Sequence, residues 1–317
     1  MKVIKKGLIF IIAVLGVFFT GCGGDSTIIG QRYEAQLPVR IDDLPAALAA
    51  VQEKLDQDQP KEAVNLAKKW IEENEGSEFM DRALYLKGRA LFERKSYDKS
   101  FEAYEELLNG YSTSSLFDAA LRQEMEIARR YLTGTKRKLW DFIPLGAHSE
   151  AVEILDGIVE HWPLSELSAQ ALMMQADYYF EKNRFLEAQG TYQLIVDHYR
   201  KSSYYEAALL GGAEASHAQY QGPFYDSACL MEARFLYEQY RVLFPEKAAQ
   251  LGIAQRIEQI DEQEAEKCYT IADFYRRTDK QGAARYYLDY LTQRWPDSIW
   301  ARQAEKLLQE GDALVSK

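Results

Sequence analysis

The sequence predicts an all-α chain, built as a right-handed superhelical solenoid of about five to six helix pairs. Two observations predict it: amphipathic stretches with helical spacing recur along the chain, and each ends in a large aromatic residue followed by proline or small polar residues. The five aromatic markers are Tyr111, Trp162, Tyr199, Phe244 and Trp295. Their recurrence at intervals of 37 to 51 residues favours a repeat array over a compact helical bundle.

The helix before each marker carries its apolar residues on one face. Before Tyr111 these are Tyr97, Phe101, Tyr104 and Leu108, with spacings of 4, 3, 4 and 3 residues. A more polar, proline-free stretch precedes each of these helices and predicts the first helix of each pair. Those first helices are predicted at 79–93, 114–131, 165–182, 202–220 and about 250–277.

Two units place the same residue types at the same offsets. The first set is Leu84, Gly88, Leu91, Tyr97, Ser100 and Tyr104, and the second is Leu172, Ala176, Tyr179, Phe185, Ala188 and Tyr192. Large apolar, small and aromatic residues in this order resemble a tetratricopeptide repeat (TPR), in which the small residues allow close contact between the two helices. The resemblance implies a TPR-like solenoid.

The first 22 residues read as an export signal that ends in a cysteine. Basic residues precede the apolar stretch 7–20, which is too short to span a membrane, and Gly21-Cys22 follows. This order resembles the lipobox of bacterial lipoproteins, although Phe19 stands where leucine is usual. It predicts a signal peptide at 1–21, lipidation of Cys22 with acyl chains such as palmitate, a flexible tether at 22–40 and the solenoid at 41–317. The alternative is an ordinary signal peptide with a chance cysteine.

By resemblance to the lipoprotein sorting rule, Gly23 after the cysteine favours an outer-membrane anchor with the body facing the periplasm. Removal of Lys2, Lys5 and Lys6 with the signal takes the formal net charge from −11 to −14. Such an acidic body argues against nucleic acid as a partner, and it leaves the lipid anchor as the contact with membrane.

Several segments resemble the BamD family of outer-membrane assembly lipoproteins: Tyr269–Tyr275, Ala283–Leu291, Trp295–Ser298 and the loop Tyr220–Asp226. The resemblance implies a non-enzymatic scaffold whose N-terminal repeats receive unfolded outer-membrane protein substrates. Its C-terminal repeats would hold the barrel-forming assembly subunit, and other assembly lipoproteins would join them. A TPR lipoprotein for cell-wall coordination or for secretin or pilus assembly is the alternative, and an enzyme is the third.

The first helix of each pair is expected to form the concave wall, which is the usual ligand surface of such solenoids. Arginines and aromatics there suit an extended peptide or a terminal carboxylate. The predicted partner-binding residues are Tyr85, Arg89, Phe92, Arg122, Arg129, Arg130, Tyr269, Asp273 and Arg276. The alternative is that these are solvated helix faces with local ion pairs.

The insertion 132–147 combines the basic cluster Lys136-Arg137-Lys138 with apolar residues from Leu139 to Ile143. It is either a docking loop or a segment whose apolar residues tuck against the helices. No metal spacing, phosphate loop or nucleophile elbow is present, so the sequence predicts no catalytic residue, metal or cofactor. Cys229 and Cys268 are predicted to be free thiols, with a disulfide as the alternative.

Overall fold

The computed structural model describes residues 29, 32–135, 137–139, 143–145 and 148–315. The predicted signal peptide, Cys22 and the first part of the predicted tether lie outside the described residues. None of the helices in this part of the chain has both the length and the hydropathy needed to cross a bilayer.

Over these residues the fold is helical, as predicted, with one short two-stranded hairpin. The elements in chain order are α1 (Ala46–Asp56), α2 (Pro60–Glu73), α3 (Met80–Glu93), α4 (Tyr97–Gly110), α5 (Phe117–Leu132), β1 (Arg137–Leu139), β2 (Ile143–Leu145), α6 (His148–His161), α7 (Glu166–Glu181), α8 (Phe185–His198), α9 (Tyr205–Ala218), α10 (Ala228–Leu243), α11 (Pro245–Gln250), α12 (Ile253–Arg277), α13 (Gln281–Arg294) and α14 (Ile299–Val315).

Within the described residues, consecutive helices pack against each other from α1 to α14, which confirms a TPR-like solenoid. The pairs are α1–α2, α3–α4, α5–α6, α7–α8, α9–α10 and α12–α13, and α14 packs on the last pair. The long α12 of 25 residues corresponds to the first helix that the sequence predicts at about 250–277. The short helix α11 was not predicted.

The same type of tight turn joins the two helices in four of the pairs. Its middle residue is Asp58, Lys95, Asn183 or Asp279, and each has a φ of 56° to 59° in the left-handed region. The next residue closes the turn by donating its backbone N–H to a carbonyl five residues back, as Ser96 does to Leu91 at 2.9 Å. This is the helix-ending geometry that satisfies otherwise unpaired carbonyls.

The small residues of the repeat pattern lie where helices touch. A Cβ on Gly88 would come within 2.6 Å of the Tyr104 ring, and the hydroxyl of Ser100 donates to the Gly88 carbonyl at 2.8 Å. Gly211 stands in the same relation to Tyr192, again at 2.6 Å. The aromatic rings therefore pack directly on backbone, and no larger residue fits at either glycine.

The aromatic markers end the second helices through a shared backbone conformation. Tyr111, Tyr199, Phe244 and Trp295 have φ of −121° to −135° and ψ of 41° to 62° directly after the last helical residue. Asn74 does the same after α2, with φ −131° and ψ 40°. The sequence did not reveal that first marker because an asparagine replaces the aromatic residue.

The buried apolar residues form two separate clusters. The large cluster runs from Ile29 to Ile260 and joins the first five pairs. The small cluster belongs to the C-terminal end and contains Cys268, Ala272, Leu288, Leu291, Ala301 and Ala304, with Trp295 and Trp300 packed against it. Helix α12 contributes to both, so it is the connection between them.

The insertion forms a hairpin in which Arg137 pairs with Leu145 and Leu139 with Ile143, in antiparallel register. Trp140 and Phe142 lie outside the described residues, so the docking and tucked alternatives both stay predictions. Cys229 and Cys268 are free thiols, as predicted.

Candidate peptide-binding face

The first helices α1, α3, α5 and α7 present a common surface, the first-helix face. Residues 32–41 of the same chain lie along it without regular secondary structure beyond Arg32. The expectation of a free flexible tether to residue 40 therefore does not hold for residues 32–40, because they are fixed by hydrogen bonds to the four helices. We name residues 32–41 the bound segment.

The backbone of the bound segment is recognised by side chains at three points. The N–H of Gln36 donates to Glu126 at 3.2 Å, and the N–H of Val39 donates to the Tyr85 hydroxyl at 2.9 Å. At Ile41 the amide of Gln52 accepts from the backbone N–H at 3.0 Å and donates to the carbonyl at 3.2 Å. Contacts of this kind fix an extended chain whatever its side chains are.

The bound segment crosses the helix pairs in reverse order. Arg32 and Tyr33 lie on α7, Gln36 on α5, Val39 on α3 and Ile41 on α1. Contacts therefore recur about every three residues, and three extended residues span about 10 Å. Because packed helices lie roughly 8–10 Å apart, one contact for each successive first helix is the spacing that an extended chain can supply.

The N-terminal end of the bound segment enters a pocket around Asp177 of α7. The guanidinium of Arg32 donates through Nη1 to both carboxylate oxygens, at 2.7 and 2.6 Å. The hydroxyls of Tyr33 and Tyr192 also donate to this carboxylate, at 2.8 and 2.6 Å. Asp177 is 1 % exposed whereas the Arg32 side chain is 42 % exposed, so the carboxylate is shielded from water and the guanidinium is partly open to it. Charge-assisted hydrogen bonds in such a place are the strong ones.

Burial shifts the pKa values of Asp177, Tyr33 and Tyr192 in this pocket. It raises the pKa of Asp177, while Arg32 and the hydroxyls of Tyr192 and Tyr33 act in the opposite direction. Burial and the Asp177 charge together raise the pKa of Tyr33 and of Tyr192 well above the usual range. Both phenols therefore stay protonated at physiological pH and can donate.

Tyr33 and Ile41, near the two ends of the bound segment, have buried side chains, whereas Arg32 and most of the residues between them are exposed. Tyr33 and Ile41 lie in the large apolar cluster together with Ile29. Leu37, in contrast, is 82 % exposed and Val39 is 46 % exposed. The first-helix face thus takes side chains at its ends and mainly backbone in between.

The predicted residues of the second pair lie at this face. Tyr85 is fully buried and accepts from Val39, so it contacts the bound segment directly. Arg89 is mostly buried and lies 3.8 Å from Asp56, while Phe92 packs edge-on against Tyr97. Arg89 contacts a neighbouring helix rather than the bound segment, and Phe92 belongs to its own pair.

The predicted arginines of α5 are engaged in ion pairs. Arg129 donates to both oxygens of the buried Glu126 at 2.7 Å, and Arg130 donates to the same carboxylate at 2.7 Å. Burial acts to raise the pKa of Glu126, but these hydrogen bonds outweigh it and the pKa is lowered. The arginines therefore hold an ionised acceptor for Gln36, whereas the exposed Arg122 pairs with Asp118 of its own helix at 2.8 Å.

The predicted C-terminal residues lie on α12. Asp273 accepts from Arg276 at 2.7 Å, and Arg276 is half exposed. Tyr269 packs against the Trp300 ring, with 5.1 Å between ring centres. The ion pair is open to solvent, while Tyr269 belongs to the small apolar cluster.

Sequence reasoning missed four residues that hold the bound segment: Gln52, Gln123, Glu126 and Asp177. A usable signal existed for Asp177, because it is a lone carboxylate within the apolar run Ala171–Phe180. A carboxylate in a buried helix needs a cationic or hydrogen-bonding partner. The partner of Asp177 could not be identified from the sequence, because Arg32 lies 145 residues away.

Among the described residues no group of three or more histidine, cysteine or acidic side chains is placed to hold a metal ion. His161, which stands just before a marker, contacts Glu105 at 3.1 Å and so bridges two helix pairs.

Comparison with known proteins adds one finding. Residues 82–114, which comprise α3, α4 and the turn after them, match the family described as "Tetratricopeptide repeat". No curated protein matches the chain. The match and the consecutive helix pairs together make this a TPR-containing protein with a fold suited to binding other proteins.

Proposed function

We propose that the chain is a non-enzymatic, lipid-anchored scaffold of outer-membrane β-barrel protein assembly. The observation that carries the interaction role is the first-helix face, which contacts the backbone of the irregular bound segment at Gln36, Val39 and Ile41 through side chains. An unfolded barrel protein offers the same backbone groups to such a surface. The outer-membrane context rests on the lipobox ending at Cys22 and on the likeness of the C-terminal segments to BamD-type lipoproteins.

The two ends of the solenoid would have different partners. The first-helix face of pairs α1–α2 to α7–α8 is suited to substrate segments because it already accommodates an extended chain. The α12 surface with Asp273 and Arg276 would contact a periplasmic domain of the barrel-forming subunit. Its charges are solvent-exposed, which favours orientation and association rate over affinity.

Depletion of the protein tests the assembly role. The expected result is a fall in outer-membrane porin levels, because their assembly would lose its scaffold. Unchanged porin levels would refute this function. A pull-down from crosslinked envelopes then identifies the machinery: recovery of a barrel-forming subunit supports the proposal, and recovery of cell-wall, secretin or pilus components supports the alternative scaffold instead.

The anchor is tested separately by Cys22→Ser. The body should fold normally, since the residue precedes the solenoid, but the protein should leave the membrane or accumulate as an uncleaved precursor. Cys229→Ser is the matched control, because it removes a thiol from the solenoid and leaves the anchor intact. A normally processed Cys22→Ser protein in the outer membrane would contradict lipid attachment.

A further inference from the structure

We infer that the Asp177 pocket is a specificity site for an extended peptide carrying adjacent arginine and tyrosine residues, and that the bound segment occupies it as a displaceable ligand in cis. This inference rests on the proposal that the chain is an interaction scaffold, but not on which machinery it serves.

The pocket is chemically selective. Asp177 is buried and accepts three donors, of which Tyr192 belongs to the pocket and the other two come from the bound segment. Without the bound segment, the Asp177 carboxylate would keep the Tyr192 hydroxyl as a donor. It would lose Arg32, which is the cation among these three contacts. An arginine meets the need because it stays charged when it is partly buried, and its Nη1 donates to both carboxylate oxygens. The neighbouring tyrosine supplies a ring for the apolar cluster and a hydroxyl for the same carboxylate.

The rest of the bound segment is held loosely enough to exchange. Its middle contributes backbone hydrogen bonds and exposes Leu37 and Val39, so little apolar area would be lost when it leaves. The ion pair near its other end, between Arg40 and Asp56, is largely exposed and therefore weak. Release therefore depends chiefly on the Asp177 pocket and on the burial of Ile41.

Attachment in cis makes the bound segment a built-in competitor. A segment joined by a short linker competes at an effective concentration on the order of mM, so a free peptide of equal intrinsic affinity binds poorly. A partner must carry the same chemistry and bind better, or be presented at high local concentration. The bound segment thus sets a threshold that excludes unrelated extended chains.

The test uses the full chain and a fluorescent peptide with the sequence of residues 29–41. Anisotropy titrations compare the wild type with the double variant Arg32→Ala/Tyr33→Ala, which weakens the cis contact and leaves the face intact. We expect the double variant to bind the peptide at least about tenfold more tightly than the wild type. Arg40→Ala is the matched control, since it alters an exposed arginine of the same segment, and it should bind as the wild type does.

Asp177→Asn, added to the double variant, tests the pocket itself. It keeps the size of the side chain but removes the charge, so peptide affinity should fall at least about tenfold. A peptide with glutamate and alanine in place of the Arg-Tyr pair should bind no variant. Equal binding by wild type and double variant, or full affinity after Asp177→Asn, would overturn the inference.

Hydrogen exchange supplies a second readout in the same proteins. The amides of Gln36, Val39 and Ile41 should lose protection in the double variant, while α3 and α5 keep theirs. Unchanged protection at these amides would contradict displacement. If the double variant fails to fold, Tyr33→Phe removes one hydroxyl donor and should raise peptide affinity by a smaller factor. Either failure leaves the porin experiment untouched, so the two proposals are refuted separately.

Discussion

The first-helix face differs between the N-terminal four pairs and the C-terminal pair. In the N-terminal pairs it is covered by the bound segment, and the ion pair of Arg129 with Glu126 is mostly buried there. On α12 the corresponding charges, Asp273 and Arg276, face solvent and pair within one helix. Equivalent arginine-rich faces therefore have different roles, because in the N-terminal pairs a distant part of the same chain covers them.

The two regions also differ in what stabilises them. The first five pairs share one continuous apolar cluster, whereas the end of α12, α13 and α14 depend on a small cluster of their own. In a solenoid each unit contacts its neighbours only, so the stability of a terminal unit is largely local. The C-terminal end should therefore open before the rest.

The largest effect is expected from a matched pair of core truncations. Leu107 and Leu291 are both fully buried, and each lies four residues before the marker of its helix. Changing either to alanine should cost about 2–5 kcal/mol. Calorimetry with hydrogen exchange should show that Leu291→Ala creates an early transition limited to α12–α14, whereas Leu107→Ala lowers the main transition. If both variants destabilise the same segments, the two-cluster description is wrong.

The next largest effect on stability is expected from a comparison of the mostly buried Arg129 with the half-exposed Arg276. Arg129→Ala removes hydrogen bonds to the buried Glu126 and should cost about 1.5–3 kcal/mol. Arg276→Glu changes a half-exposed charge and should alter stability by less than about 0.5 kcal/mol, while weakening capture of the C-terminal partner. Thermal melts and co-purification on both variants measure this. Melting of the solenoid by Arg276→Glu, or full retention of its partner, would contradict the assignment of the α12 surface to binding.

Substitutions at two glycines compare how closely helices pack in the N-terminal pairs and in the C-terminal pair. Gly88→Ala forces a Cβ to within 2.6 Å of the Tyr104 ring, so it should cost about 1–3 kcal/mol. A Cβ on Gly282 in α13 meets nothing within 4 Å, so Gly282→Ala should stabilise by about 0.5–1 kcal/mol through helix propensity. Chemical denaturation of both variants gives the difference. A stabilising Gly88→Ala would show that α3 and α4 are not in close contact.

The smallest expected effect concerns a buried acid of the N-terminal cluster. Neither carboxylate oxygen of Glu124 has a hydrogen-bond partner among the described residues. Burial raises its pKa well above the usual range, and the charge of Glu105 adds to the shift. The folded state therefore binds more protons than the unfolded state, and its stability falls as pH rises above about 4.3, the usual pKa of glutamate.

Glu124→Gln removes that dependence. The variant should gain about 1 kcal/mol over the wild type at neutral pH, and the gain should vanish as pH falls below the usual glutamate pKa. Denaturation at a series of pH values measures the difference. Glu264→Gln is a half-buried control on α12 and should show a smaller change. A gain for Glu124→Gln that grows as pH falls would contradict the buried, uncharged state.

The local sequence pattern was enough to predict the repeat architecture. The spacing of apolar residues specified the helices, the small residue Gly88 marked a close contact, and the aromatic markers gave the helix ends. Each of these depends on neighbours within one unit, so the sequence of that unit contains the information. The first marker was missed because Asn74 adopts the same backbone conformation without an aromatic ring.

The sequence by itself determined the helix pairs and named residues of the first-helix face, among them Tyr85, Arg129 and Arg130. Tertiary structure alone decided what those residues do, because the sequence predicts residues 22–40 as a flexible tether. The order of residues 32–41 arises from contacts with residues 11 to 145 positions away, from Gln52 to Asp177, and no local spacing encodes such pairs. Local periodicity fixes elements, whereas the cost of burying the charge of Asp177 is offset when folding brings Arg32, Tyr33 and Tyr192 to it.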